Sequence, residues 1–125
     1  MKFKIEKLRF ITREYVRANA DKIFLFGDNL LRKGYGGQAG AMRDEPNAVG
    51  IPTKKKPSNA PDAFFSDTEF GQNKNAIDLA FSELDGRAKG KVIVIPAAGL
   101  GTGLADLQNR APKTFQYLER RLAAL

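Results

Sequence analysis

The chain contains neither histidine nor cysteine, which removes the thiol nucleophile, the Ser-His-Asp triad, the zinc ribbon and the histidine general base together. Any catalysis must use carboxylates, lysine, backbone amides or water. What the chain does carry is glycine, concentrated in Gly34-Tyr35-Gly36-Gly37-Gln38-Ala39-Gly40-Ala41-Met42 and in Pro96-Ala97-Ala98-Gly99-Leu100-Gly101-Thr102-Gly103-Leu104. In such stretches backbone amides can approach an anion with no Cβ in the way. Neither stretch is a P-loop or a dinucleotide fingerprint: there is no GxxxxGK[ST], and Gly34-Tyr35-Gly36 lacks the third glycine of GxGxxG. One cluster alone reads as a tight turn, whereas the pair, each placed behind an apolar run, points to a diphosphate-bearing ligand.

The apolar runs that must position these loops are Ile23-Phe24-Leu25-Phe26, closed by Gly27-Asp28-Asn29, and Val92-Ile93-Val94-Ile95, closed by Pro96. Continuous runs of this length read as central strands buried on both faces. Ala48-Val49-Gly50-Ile51 is a third strand. The opening stretch alternates loosely through Phe3, Ile5, Leu8, Phe10 and Tyr15-Val16, which predicts one or two short edge strands. Ser66-Asp67-Thr68-Glu69 has the form of a capping box, starting a helix with Ile77, Phe81 and Leu84 on one face and Gly86 at its end. Pro112 suits a first helical position, ahead of Phe115, Leu118, Leu122 and Leu125. Lys54 to Asp67 reads as a surface loop. Strands alternating with amphipathic helices predict a layered α/β domain with a largely parallel sheet, whose ligand lies beyond the carboxyl ends of the strands. The second half of each glycine loop should open a helix whose positive end favours the anion.

A chain of 125 residues is one domain, 1–125, with core enough to fold without a staple. Its net charge of +7 lies entirely in residues 1–60, since residues 61–125 carry 8 basic and 8 acidic side chains. A basic half attracts a phosphate-bearing ligand or nucleic acid, or is simply a solvated surface, and charge alone does not choose between them. The apolar runs are far shorter than the roughly 20 residues that span a bilayer, and the first seven residues turn charged before a signal-peptide core can form. The expectation is a cytoplasmic monomer that engages no membrane and needs no cofactor or metal.

Phe24-Leu25-Phe26-Gly27-Asp28-Asn29, followed by Gly36-Gly37-Gln38-Ala39-Gly40-Ala41-Met42, resembles the strand, asparagine and glycine-rich helix start of macrodomains, which bind ADP-ribose. Val94-Ile95-Pro96-Ala97-Ala98-Gly99-Leu100-Gly101-Thr102-Gly103 is similar to their second phosphate loop, and order and spacing agree over roughly residues 10–122. The likeness is to the branch holding terminal ADP-ribose glycohydrolase and the antitoxins that strip ADP-ribose from DNA. It implies a three-layer α/β/α sandwich around a largely parallel mixed sheet. It also implies hydrolysis of an N- or O-glycosidic ADP-ribosyl linkage on a macromolecule, with nucleic acid a candidate carrier. A non-catalytic ADP-ribose or nucleotide-binding module is the alternative.

The resemblance assigns ligand binding to Asn29, Gly36, Gly37, Gln38, Ala39, Gly99, Leu100, Gly101, Thr102 and Gly103, and catalysis to Lys54 and Asp106. Lys54, in Ile51-Pro52-Thr53-Lys54-Lys55-Lys56, would attack the anomeric carbon if burial or its cationic neighbours lower its pKa; otherwise the run is a solvated phosphate attractor. Asp106 would protonate the leaving group or activate water; otherwise it is a helix N-terminal acid. Asn29 would bind a ribose hydroxyl or, equally, close an Asx turn. The sequence departs from the family pattern in having no acid near Phe10-Ile11-Thr12, where an adenine-binding aspartate is expected.

Overall fold

A computed structural model describes residues 3–125. Four strands, β1 (Ile5–Leu8), β2 (Lys22–Asn29), β3 (Ala48–Lys54) and β4 (Val92–Pro96), form one sheet in the order β1-β4-β2-β3. The four strands pair with one another only in parallel, so among the described residues the sheet is not the mixed one expected. The two continuous apolar runs are the central strands β2 and β4, and the loosely alternating β1 is an edge.

The reason those runs are continuous is visible in the packing. Ile23, Leu25, Ile93 and Ile95 enter one core with α3 (Phe70–Arg87), α4 (Leu107–Arg110) and α5 (Pro112–Ala123). Phe24, Phe26 and Val94 enter another with α1 (Arg13–Ala18) and α2 (Ala39–Met42). Period-two alternation therefore sends apolar side chains to both faces, and helices cover both. Phe24 and Phe81 are fully buried, each contributing roughly 1.5–3 kcal/mol relative to exposure. No helix among the described residues is long and apolar enough to cross a membrane.

Several local expectations are corrected. Tyr15-Val16 is helical, because the Thr12 hydroxyl caps α1 by accepting from the Tyr15 amide at 3.1 Å. Val16 and the edge of the Tyr15 ring then pack on the β2 side, the ring 5.9 Å from Phe24. Gly27-Asp28-Asn29 continues β2 rather than turning. The Ser66 hydroxyl caps a 3-10 turn through the Thr68 amide, but Glu69 pairs with Lys55 instead of closing the box. Gly86 lies inside α3. The loop after Lys54 is not wholly superficial, since Ala63, Phe64 and Phe65 are buried. α2 and α4 are single turns of four residues, too short to supply the helix dipole expected behind each glycine loop.

Candidate functional site

Because all strands run parallel, their carboxyl ends share one edge, and the chain that follows β2, β3 and β4 meets there. Between these loops lies a cleft of about 410 Å³. Its walls are the end of β2 with the 33–39 loop, Thr53-Lys54 with Pro57-Ser58-Asn59, and Gly101 with Gly103-Leu104-Ala105.

The two glycine loops are tied together by one side chain. Gln38 accepts the Gly27 amide at 2.8 Å through Oε1 and donates through Nε2 to the Gly99 carbonyl at 2.9 Å. Gly27 and Gly101 approach so closely that a Cβ on Gly27 would stand 3.3 Å from the Gly101 nitrogen, and Gly101 itself has φ +79°. Among the described residues, the backbone amides of Gly36 and Gly37 on one side and of Thr102, Gly103 and Leu104 on the other donate to no protein acceptor. Of these, Gly36, Gly37, Gly103 and Leu104 line the cleft, and their amides are the groups an anionic ligand between the loops can use.

The β2 end is held by charge. Asp28 is buried against Arg43, whose guanidinium packs 5.5 Å from the Phe26 ring. The Asn29 side chain is taken up by its own turn, donating to the Lys33 carbonyl at 2.8 Å and accepting from the Leu31 amide at 3.1 Å. This is the Asx-turn reading of that residue. Tyr35 presents its ring at the cleft while its hydroxyl donates to Asp44 at 2.5 Å, which holds the phenol pKa above its ordinary value.

Lys54 ends β3 where the register with β2 shifts between Asp28 and Asn29, leaving Thr53 as the extra residue. Such a bulge re-aims the side chains beside it, and both Thr53 and Lys54 line the cleft. Only 8% of Lys54 is exposed. Among the described residues its ammonium has no carboxylate or hydrogen-bond partner; it lies 4.7 Å from the centre of the Phe64 ring. The Arg110 guanidinium lies 3.5 Å from the same ring. Burial first, and the Arg110 charge second, hold the Lys54 pKa below its ordinary value of 10.5. The neighbouring lysines expected to do this do not: Lys55 pairs with Glu69 and Lys56 with Asp62.

With the cleft defined, its family can be stated. The model for a family of unknown function, DUF7831, matches residues 6–121. The chain belongs to this family. No curated protein and no solved structure matches it significantly. The span matched by DUF7831 takes in every residue that lines the cleft, and with them Phe64 and Arg110 beside Lys54.

In this DUF7831 chain the expected site residues divide into two groups. Asn29, Gly36, Gly37, Gln38, Ala39, Lys54, Gly101 and Gly103 line the cleft. Leu100 is in the core. Gly99 and Thr102 border a second cavity of about 530 Å³ behind the same loop, between β1, β4 and α5. Asp106, left-handed at φ 47° before α4, is not part of the cleft wall. Its carboxylate accepts from Asn109 at 2.7 Å and faces Arg110 at 3.6 Å.

Phe64, Arg110, Arg43 and Ser58-Asn59 were not legible as site residues, since nothing in their local sequence marks them and long-range packing alone brings them in. Asp28 reads from sequence as a turn acid, yet it is a buried ion-pair partner. The basic first half is also less free than its composition suggests. Arg13 and Arg17 share Glu45, Lys22 pairs with Glu6, and Arg43 with Asp28.

Proposed function

We propose that this chain is a macrodomain-like protein whose cleft binds ADP-ribose and that it hydrolyses an ADP-ribosyl linkage to a macromolecule. The observation that carries the reading is a buried lysine with no ion-pair partner among the described residues, in the wall of a cleft that also presents unused amides from two glycine loops. The amides of the 36–37 and 103–104 segments hold the diphosphate, and the distal ribose is directed toward Lys54.

In this mechanism the neutral Lys54 amine attacks the anomeric carbon. The bond to the carrier breaks, the leaving oxygen or nitrogen keeps the electron pair and takes up a proton, and the lysine nitrogen gives one up. The glycosylamine opens to an imine. Water then adds to the imine carbon and expels the amine, giving free ADP-ribose and the original lysine. For Asp106 to serve as the acid, its carboxylate must leave Asn109 and Arg110.

Calorimetric titration with ADP-ribose, AMP and NAD at two salt concentrations tests the binding step. Hydrolysis assays on ADP-ribosylated DNA and ADP-ribosylated protein then test turnover and show which carrier is used. Lys54→Ala should bind ADP-ribose and release none from the carrier. Borohydride should trap a covalent adduct on Lys54 in the wild type only. No binding of ADP-ribose overturns the reading.

A second reading, a non-catalytic nucleotide-binding module, is favoured by two placements: Asp106 outside the cleft wall and the Asn29 carboxamide spent on its own turn. It predicts selective ADP-ribose binding, no turnover on either carrier, and binding unchanged by Asp106→Ala.

A further inference from the structure

We propose that Arg110 is a positioning residue for Lys54: the Phe64 ring carries the guanidinium and the ammonium together and keeps the amine in the cleft wall, away from any carboxylate. The geometry is specific. Arg110 lies 3.5 Å and Lys54 4.7 Å from the centre of one buried ring, and a ring face attracts each cation while their like charges oppose each other. The backbone fixes Phe64 at this spot through an antiparallel bridge to Lys54 itself. Asp106 pairs with Arg110 at 3.6 Å, which gives that aspartate a part in the site without lining the cleft.

The other ionisable groups around Lys54, Lys33 excepted, are engaged elsewhere. Asp28 is taken by Arg43, Tyr35 by Asp44, Lys55 by Glu69 and Lys56 by Asp62; Lys33 lines the same cleft. Arg110 is the charged residue whose field acts on the Lys54 amine, and it acts in the same direction as burial. A cation beside an amine favours the uncharged, nucleophilic form. Arg110 therefore raises the fraction of Lys54 able to react near neutrality.

The functional meaning rests on Lys54 being the reacting amine, but the test uses no ADP-ribose, so failure of ADP-ribose to bind leaves this result separate. Competitive labelling of the folded protein with acetic anhydride, quantified by mass spectrometry from pH 6 to 11, follows Lys54 with the exposed Lys89 as internal reference. In the wild type, the Lys54 midpoint lies below its ordinary value of 10.5. In Arg110→Gln the midpoint rises and labelling of Lys54 below it falls about threefold. Arg110→Lys restores the charge and most of the labelling. Asp106→Asn, which tolerates the left-handed backbone, frees the Arg110 charge and moves the midpoint down. Asp106→Asn leaves the Arg110 side chain on the Phe64 ring, so the assignment stays testable if Arg110→Gln does not fold. A profile the same in all four proteins, or a wild-type Lys54 midpoint at or above 10.5, overturns it.

Discussion

Gln38 Nε2 donates to the Gly99 carbonyl at 2.9 Å across 61 positions of sequence, so that a residue of the first glycine loop holds the backbone of the second. The same side chain receives the Gly27 amide. The spacing between the two loops is thereby set by one carboxamide, and with it the width available to any anion between them.

Replacing Gln38 by Ala should leave the Gly27 amide without its acceptor, at a cost of about 1–3 kcal/mol, and weaken ADP-ribose binding in the same variant. Gln38→Glu keeps the acceptor for Gly27 but cannot donate to Gly99, and it adds negative charge between the loops. It should lose binding out of proportion to its loss of stability. Urea unfolding and titration calorimetry on both variants separate the two effects.

Gly50 faces Asp28 across the β2–β3 pair, and a Cβ built on it would stand 2.5 Å from Oδ2 and 2.8 Å from the Asp28 Cβ. Gly50→Ala should therefore displace the Asp28–Arg43 pair and destabilise the fold by about 1–3 kcal/mol. Asp28→Ala removes the carboxylate but keeps the Cβ that would stand 2.8 Å from the new methyl, so it should relieve only part of the cost of Gly50→Ala. A double-mutant cycle by chemical denaturation reads this coupling.

Burial would raise the Asp67 pKa, but the Lys113 and Thr114 amides and the Thr114 hydroxyl that donate to its carboxylate more than offset this and hold it below 3.8. A carboxyl whose folded pKa is depressed stabilises the fold above its unfolded pKa and loses that contribution as pH falls through the folded value. Wild type should thus exceed Asp67→Asn in stability at pH 6. The gap should narrow progressively below pH 3.8, as measured by thermal unfolding across pH; a gap independent of pH would sink the capping role at the start of α5.

Lys54 works the other way. Its folded pKa is lowered, first by burial and then by Arg110, so the charged amine costs the fold stability at neutral pH. That cost disappears as pH rises from the folded value to 10.5. Lys54→Met, which fills the same space without charge, should be more stable than wild type near pH 7 by about 1 kcal/mol. The advantage should shrink toward pH 10. Equal stability at both pH values would contradict an ammonium buried at a cost.

The sequence by itself determined the scaffold. Ile23 to Phe26 and Val92 to Ile95 are apolar at every position because both faces of a central parallel strand are covered, and Pro112 opens the last helix because its missing amide costs nothing there. It also placed the two glycine loops at strand ends, so Gly36, Gly37, Gln38, Gly101 and Gly103 were found as cleft residues. Only the tertiary structure decided the chemistry of that cleft. Lys54, Lys55 and Lys56 are equivalent in sequence, but the bulge at Thr53 and the partners Glu69 and Asp62 leave one of them buried without a carboxylate and neutralise the others. Phe64 and Arg110 stand 46 positions apart and become site residues only because one packs on the other. A side chain's charge state follows from burial and from neighbours in space, and a linear pattern of 125 residues encodes neither until the sheet has brought its strand ends together.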